Sequence, residues 1–410
     1  MKVNRHLLSN GLRLVHSQDN ATQMVAINVL YNVGARDEDP EKTGFAHLFE
    51  HLMFGGTEQV PDFDAVVQKA GGESNAWTNN DITNFYVSLP SENAEIGFWL
   101  EADRMRGIDF SQRSLDNQKQ VVIEEFKQRD LNKPYGDVSK LIRNLAYKVH
   151  PYRWCTIGKE ISHIEKASLY DVKTFFYKHY FPANAILSVT GNISFEKAVE
   201  YTEKWFASIP KKDAVNKNLP KEPEQNECRF LEVERNVPLD AFYKVYKMPA
   251  RKDKDYHCVD LISDILSNGS SSRLYQSLVK EKKMATDVNA YVSGDIDEGL
   301  FYIKAKPTNG FTLKDIDWAI DEEINKLLLN QIEEQELQKV KNKYESNKIF
   351  TEMNYLNKAS NLAYHELIDE DMNLELEKYL SITKEQVQKI ALNLFRKENS
   401  STLYYFSIRK

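Results

Sequence analysis

"FAHLFEHLMFGG" (Phe45–Gly56) and "HCVDLISDILSNG" (His257–Gly269) are short apolar-periodic stretches that both end at glycine. Each follows an extended apolar run, "MVAINVLYNVGA" from Met24 and "LDAFYKVYKMPA" from Leu239. Each precedes a strand-like segment, "TNFYVSLP" and "EGLFYIKAKP", then long charged helices, then a closing strand, "NAILSVTGN" and "STLYYFSI". The same order twice in one chain predicts an α+β fold. Two homologous α/β domains of about 200 residues each, a mixed sheet covered by helices, are related by internal duplication. Between them "SIPKKDAVNKNLPKEPEQNE" (Ser208–Glu227) is rich in Lys, Pro and Asn and reads as a linker. The predicted division is 1–210, a linker at 211–227, and 228–410.

Bulk properties narrow the function. A chain of 410 residues exceeds what one core usually organises, and 41% hydrophobic with 28% charged residues describes a globular protein. A net charge of −7 gives no basic footprint, so nucleic acid is not expected as a partner. Cys155, Cys228 and Cys258 are too scattered for a disulfide framework or a C-x-x-C site. No apolar run reaches the ~18 residues that span a bilayer, so no membrane association is expected. The first residues, "MKVNRHLLSNGLRLVHSQD", lack an export signal's apolar region. The expected location is cytoplasmic, or periplasmic if a signal has been trimmed.

The first stretch carries chemistry. Thr43 is predicted as its N-cap, and Gly55–Gly56 as its stop. At ~100° per residue, Phe45, Leu48, Phe49, Leu52 and Met53 cover one side, and His47, Glu50 and His51 the other. A pair of core histidines would sit among the apolar residues. An exposed polar face would not require a glutamate between them. H-x-x-E-H is instead a zinc-hydrolase signature. Imidazoles one turn apart converge on one ion, and a catalytic zinc takes a third protein ligand while leaving a position to water of lowered pKa. Glu50, beside the ion, is placed to take the water's proton and pass it to the leaving amine.

A third ligand is sought on another element. "LDNQKQVVIEEFKQRD" (Leu115–Asp130) reads as a helix with an apolar face at Leu115, Val122, Ile123 and Phe126. Glu124 falls opposite that face and is expected to be solvated. Glu125 lies at its border, ~80° from the centre, and is the better candidate.

"HLFEH", followed by 73 residues and then Glu125 in "VVIEEFKQR", resembles the pitrilysin/insulinase family of zinc peptidases, closest to its smaller bacterial and processing-peptidase-type members. "GGESNAWTNNDITNFY" (Gly71–Tyr86), "KPYG" (Lys133–Gly136), "HPYRWCTIG" (His150–Gly158) and "SSSRLYQSLVKEK" (Ser270–Lys282) extend the resemblance along the chain. It implies that His47, His51 and Glu125 bind one zinc per chain and that Glu50 is the general base. It also implies that Asn75, Ala76 and Trp77, with Thr78, form an edge strand to which peptide substrate adds as a further β-strand.

Two positions depart from the family pattern. Seven residues before the third ligand, where a glutamate usually supports the site, stands Gln118. The second concerns an arginine and a tyrosine, seven apart, that active members take from a second-half domain. Here those positions are Val279 and Thr286, and no arginine in the second half has a tyrosine seven residues on. Arg273 and Tyr275 have the wrong spacing. Over the metal helix, the second half sets Asp260, Ser263 and Asp264 against His47, Glu50 and His51, so it has no metal motif. The implied function is the zinc-bearing subunit of an endopeptidase whose homologous partner supplies the Arg/Tyr pair. A self-sufficient homodimer and a non-catalytic peptide-binding subunit are the alternatives.

Overall fold

A computed structural model describes residues 1–213 and 217–408. Residues 214–216 of the expected linker lie outside the described residues. The chain forms two compact units, each built on one sheet.

The first sheet has the order β1-β2-β6-β3-β5-β4, from Asn4–Leu7, Arg13–Gln18, Ala185–Gly191, Met24–Tyr31, Thr83–Pro90 and Glu73–Thr78 respectively. β2 and β6 are parallel, and the remaining pairs are antiparallel. Alternation along the strands gives each face its own character. Val25, Ile27, Val29, Tyr31, Phe85, Leu187 and Val189 point into one apolar core with Phe45, Leu48, Phe49 and Leu52 of the Phe45–Leu52 helix. The opposite face carries Asn28, Asn84, Ser88, Ser188 and Thr190, all fully buried.

That polar face is covered by the Tyr355–Leu367 helix, which packs on β3 and β6. Its contacts are hydrogen bonds as much as apolar packing. Ser360 donates to Asn28 Oδ1 at 3.1 Å, Tyr355 and Ser88 share hydroxyls at 2.8 Å, and Thr190 donates to the Tyr355 carbonyl at 2.5 Å. Asn28 and Asn84 exchange a reciprocal amide pair, 2.9 Å in each direction.

The second sheet has the order β7-β11-β8-β10-β9, from Arg229–Arg235, Ser400–Ser407, Ala241–Met248, Gly299–Pro307 and Ala285–Val292. It repeats the pattern of β2-β6-β3-β5-β4, including a single parallel pair at the same place, β7 with β11. The duplication read from the sequence is therefore present in the topology; β1 is an addition to the first copy. One face packs against the Tyr256–Ser267 helix. The other packs against Ile142, Ala146 and Tyr147, from or next to the Val138–Ala146 helix.

The units are not the continuous halves 1–210 and 228–410. Asp130–Arg153 belongs to the second unit and Ile349–Asn373 to the first. Each half thus sends the helix after its long charged helix to cover the other half's sheet. Helical periodicity marks a buried stripe but not which sheet buries it.

The Asn28–Asn84 pair tests the polar face. Replacing Asn84 by Ala strands a buried amide, for which about 1–3 kcal/mol is expected. Urea unfolding of the first unit should register that loss, and a change within about 0.5 kcal/mol, the range of ordinary surface substitutions, would contradict it.

Candidate metal centre

The metal helix, Phe45–Leu52, begins at Gly44, whose φ of +90° is left-handed and suits a residue without Cβ. Gly44 has no side chain to cap the helix, and Thr43 does not act as the N-cap. Thr43 Oγ1 instead sits 2.8 Å from His163 Nδ1 and accepts from the Lys159 amide at 2.8 Å. The cap comes from upstream: Glu38 accepts from the amides of Gly44 and Ala46, each at 2.9 Å. Burial pushes the Glu38 carboxyl up to about 8, although these amides pull it down. The helix stops at Leu52, and Gly56 turns the chain at φ +91°, where a Cβ would stand 2.5 Å from the Pro61 carbonyl oxygen.

The apolar side is anchored by rings. Phe49 stacks on Phe175 and Tyr180 at centroid distances of 5.1 and 5.2 Å. The other side is not open to solvent. His47 is buried, and Glu50 and His51 are half-buried. The Gln112–Phe126 helix packs against the metal helix, and it brings Glu125 to the histidines. Glu125 Oε2 lies 3.4 Å from His47 Nε2 and 3.4 Å from His51 Nε2. Glu124 is 58% exposed and pairs with Lys127. The three ligand atoms lie within 4.8 Å of one another, and this is the one such cluster among the described residues.

The donor set fits a catalytic zinc. Ligands at about 2.0–2.1 Å on a tetrahedron stand about 3.3–3.4 Å apart, matching both His–Glu separations. Two imidazoles and one carboxylate leave a fourth position open. Protonation states agree with ligation. Burial, above all, drives the His47 imidazole below its usual range, so it is neutral. Burial alone would raise the Glu125 carboxyl, but the hydrogen-bonded Arg129 guanidinium holds it below normal. Glu50 is raised by burial, opposed in part by the Thr78 side chain.

The supporting shell is sparse. His47 Nδ1 is buried without a hydrogen-bond partner, where metal-binding histidines usually donate. Gln118 is directed towards Gly55 at the end of the metal helix. Two features escaped the sequence reading: the Glu38 cap, which has no local signature, and Arg129, four residues after Glu125. An i,i+4 Glu–Arg pattern was there to be read, with Arg129 Nη1 donating to Glu125 Oε1 at 2.9 Å.

β4, containing Asn75, Ala76 and Trp77, is the outer strand of its sheet and, among the described residues, pairs only with β5, with Ala76 opposite Phe85. Asn75 and Trp77 lie on the polar face; Ala76 and Thr78 lie on the face of the metal helix. The Ala76 amide donates to Asn75 Oδ1 at 2.8 Å, so it points away from β5.

In the second unit Asp260 accepts from the Tyr379 hydroxyl at 2.6 Å, Asp264 accepts from Asn268, and Ser263 donates to the Asp260 carbonyl. These groups satisfy one another. Val279 packs against the core, and Thr286 is exposed on β9.

Residues 13–158 match the family model "Insulinase (Peptidase family M16)", and residues 166–344 match "Peptidase M16 inactive domain". The chain belongs to the M16 insulinase family. The M16 relatives include zinc protease PqqE of Helicobacter pylori, 34% identical over 340 residues, covering 82% of this chain and 76% of the relative. A probable mitochondrial-processing peptidase subunit beta of Arabidopsis thaliana is 21% identical over 338 residues, 78% of this chain and 62% of that protein. The crystal structure of a Helicobacter pylori protease shares the M16 fold at a TM-score of 0.94 and 30% identity, over 99% of both chains.

The metal helix's counterpart yields a pH test. Burial raises Asp260 from 3.8 to about 6, so between those values the folded state holds a proton that the unfolded state releases. Stability therefore falls as pH rises through that window, by about 3 kcal/mol in full. Asp260→Asn keeps an acceptor for Tyr379 and should stabilise the protein at pH 7.5 but not at pH 3.5. Equal urea midpoint shifts at both pH values would refute this.

Proposed function

We propose that this chain is the zinc-bearing subunit of an endopeptidase that cleaves unfolded peptides, with one zinc held by His47, His51 and Glu125. The observation that carries the reading is the meeting of these three side-chain atoms on the flank of a helix that also bears Glu50 and adjoins β4, the outer strand of its sheet. Relatives named as zinc proteases support it.

Zinc, when bound, supplies Lewis acidity that makes water a competent nucleophile near neutral pH. Glu50 removes a proton as the water oxygen bonds to the peptide carbon. The same carboxyl then returns that proton to the departing nitrogen as the C–N bond breaks. Its burial favours the protonated state needed between the two transfers. The edge of β4 receives substrate as an extended strand, so backbone hydrogen bonds read conformation rather than sequence. The Ala76 amide, capped by Asn75 Oδ1, becomes a donor to the peptide once that contact is exchanged. Trp77, 39% exposed on the opposite face, offers surface to side chains directed there.

Val279 and Thr286 stand where active members carry the arginine and tyrosine that steady the oxyanion. A homologous subunit is therefore assigned to supply that pair and to complete the chamber. A mitochondrial-processing peptidase beta subunit among the relatives accords with such a division. Among the described residues no helix is long and apolar enough to cross a membrane.

Co-expression with an Arg/Tyr-bearing homologue is the direct test. Zinc should be found at one ion per chain, and the mixture should cleave an unstructured peptide while this chain alone is slower by about 10²–10³-fold. In the mixture, Glu50→Gln should retain zinc and lose about 10²–10⁴-fold in kcat. Full-speed cleavage by the isolated monomer would remove the partner from the account. A homodimer active alone would support the self-sufficient alternative, and metal-free protein the non-catalytic one.

A further inference from the structure

The two oxygens of Glu125 have different neighbours. Oε2 faces both imidazoles at 3.4 Å, whereas Oε1 accepts from Arg129 Nη1 at 2.9 Å. Arg129 lies in a π-helical stretch, Lys127–Leu131, that follows the Gln112–Phe126 helix without a break. Glutamate before arginine at this spacing is the favourable order, and a charge-assisted bond of this kind fixes direction as well as distance. The other nearby cation, Lys127, is engaged by Glu124 at 2.7 Å. Arg129 is 58% exposed and Glu125 30% exposed, so the pair adds little to folding. What it controls is which oxygen is available.

A carboxylate can bind a cation through one oxygen or through both. Binding through both would fill the position that a hydrolytic zinc site keeps for water and substrate. We propose that Arg129 is a positioning residue that restricts Glu125 to one-oxygen ligation and so keeps that position open. The inference rests on the zinc-peptidase reading above. The guanidinium also draws charge from the carboxylate, and Gln118 adds none to the site. The arrangement therefore gives up some metal affinity for an open coordination position.

The test compares the full-length parent with Arg129→Met and Arg129→Lys, loaded with Co²⁺ as a spectroscopic probe and titrated with Zn²⁺ against a chromophoric chelator. Arg129→Met should keep a four-coordinate Co²⁺ band, shifted from the parent's, that no longer responds to an added monodentate anion, because the second carboxylate oxygen takes the place of water. It should bind zinc more tightly, by roughly the 10-fold at which changes around metal ligands begin to register. With the homologous subunit present, it should lose kcat at unchanged KM. Arg129→Lys, which retains a donor, should keep the parent spectrum. A parent-like spectrum in Arg129→Met, or zinc binding weaker than the parent's, overturns the proposal. A parent that takes up neither metal overturns the zinc reading itself, and this inference with it.

Discussion

The site depends on the burial of a polar helix face. His47, Glu50 and His51 occupy one side of a two-turn helix, and a second helix packs over that side. Polar groups removed from water need partners, and ionised ones need them more. Here the partner is a carboxylate on the covering helix, turned so that one oxygen meets both imidazoles. The geometry of the candidate metal site thus follows from packing two amphipathic helices with their polar borders facing each other.

The surroundings fix the metal helix at both ends. Glu38 bonds its first amides, Gly56 reverses the chain beyond its end, and Phe175 and Tyr180 stack against its apolar side. A group of side chains is useful for hydrolysis only when its elements cannot drift by much more than a bond length. The strand edge beside it belongs to the same rigid unit, since β4 pairs with β5 and β5 with β3. The strand proposed to dock substrate and the proposed base, Glu50, are therefore held in one frame.

Much of this was legible in the sequence because it is written in short-range periodicity. The order strand, helix, strand and closing strand could be read twice, and helix phase separated Glu125, turned towards the imidazoles, from Glu124, turned to solvent. Contacts set by the fold were not legible. Glu38 caps a helix six residues downstream because Gly44 turns left-handed, and a threonine in the usual cap position misled the local reading. β1, β2, β7 and β9 were not picked out as separate strands: β1 is short, β7 and β9 are half-exposed, and β2 and β7 find their parallel partners, β6 and β11, far along the chain. The exchange of Asp130–Arg153 and Ile349–Asn373 has no signature, since the same amphipathic helix serves either sheet equally well on paper.

That exchange has a consequence for biosynthesis. All six strands of the first sheet have been made once Gly191 is reached, yet the helix that covers their polar face starts at Tyr355. Through the intervening synthesis the nascent sheet holds asparagines, serines and a threonine in water beside Ala26, Leu30 and Ile186. Polar groups interspersed among apolar ones leave a smaller oily patch waiting on the ribosome. It also makes the gene hard to divide, because neither half encodes all the helices its own sheet requires.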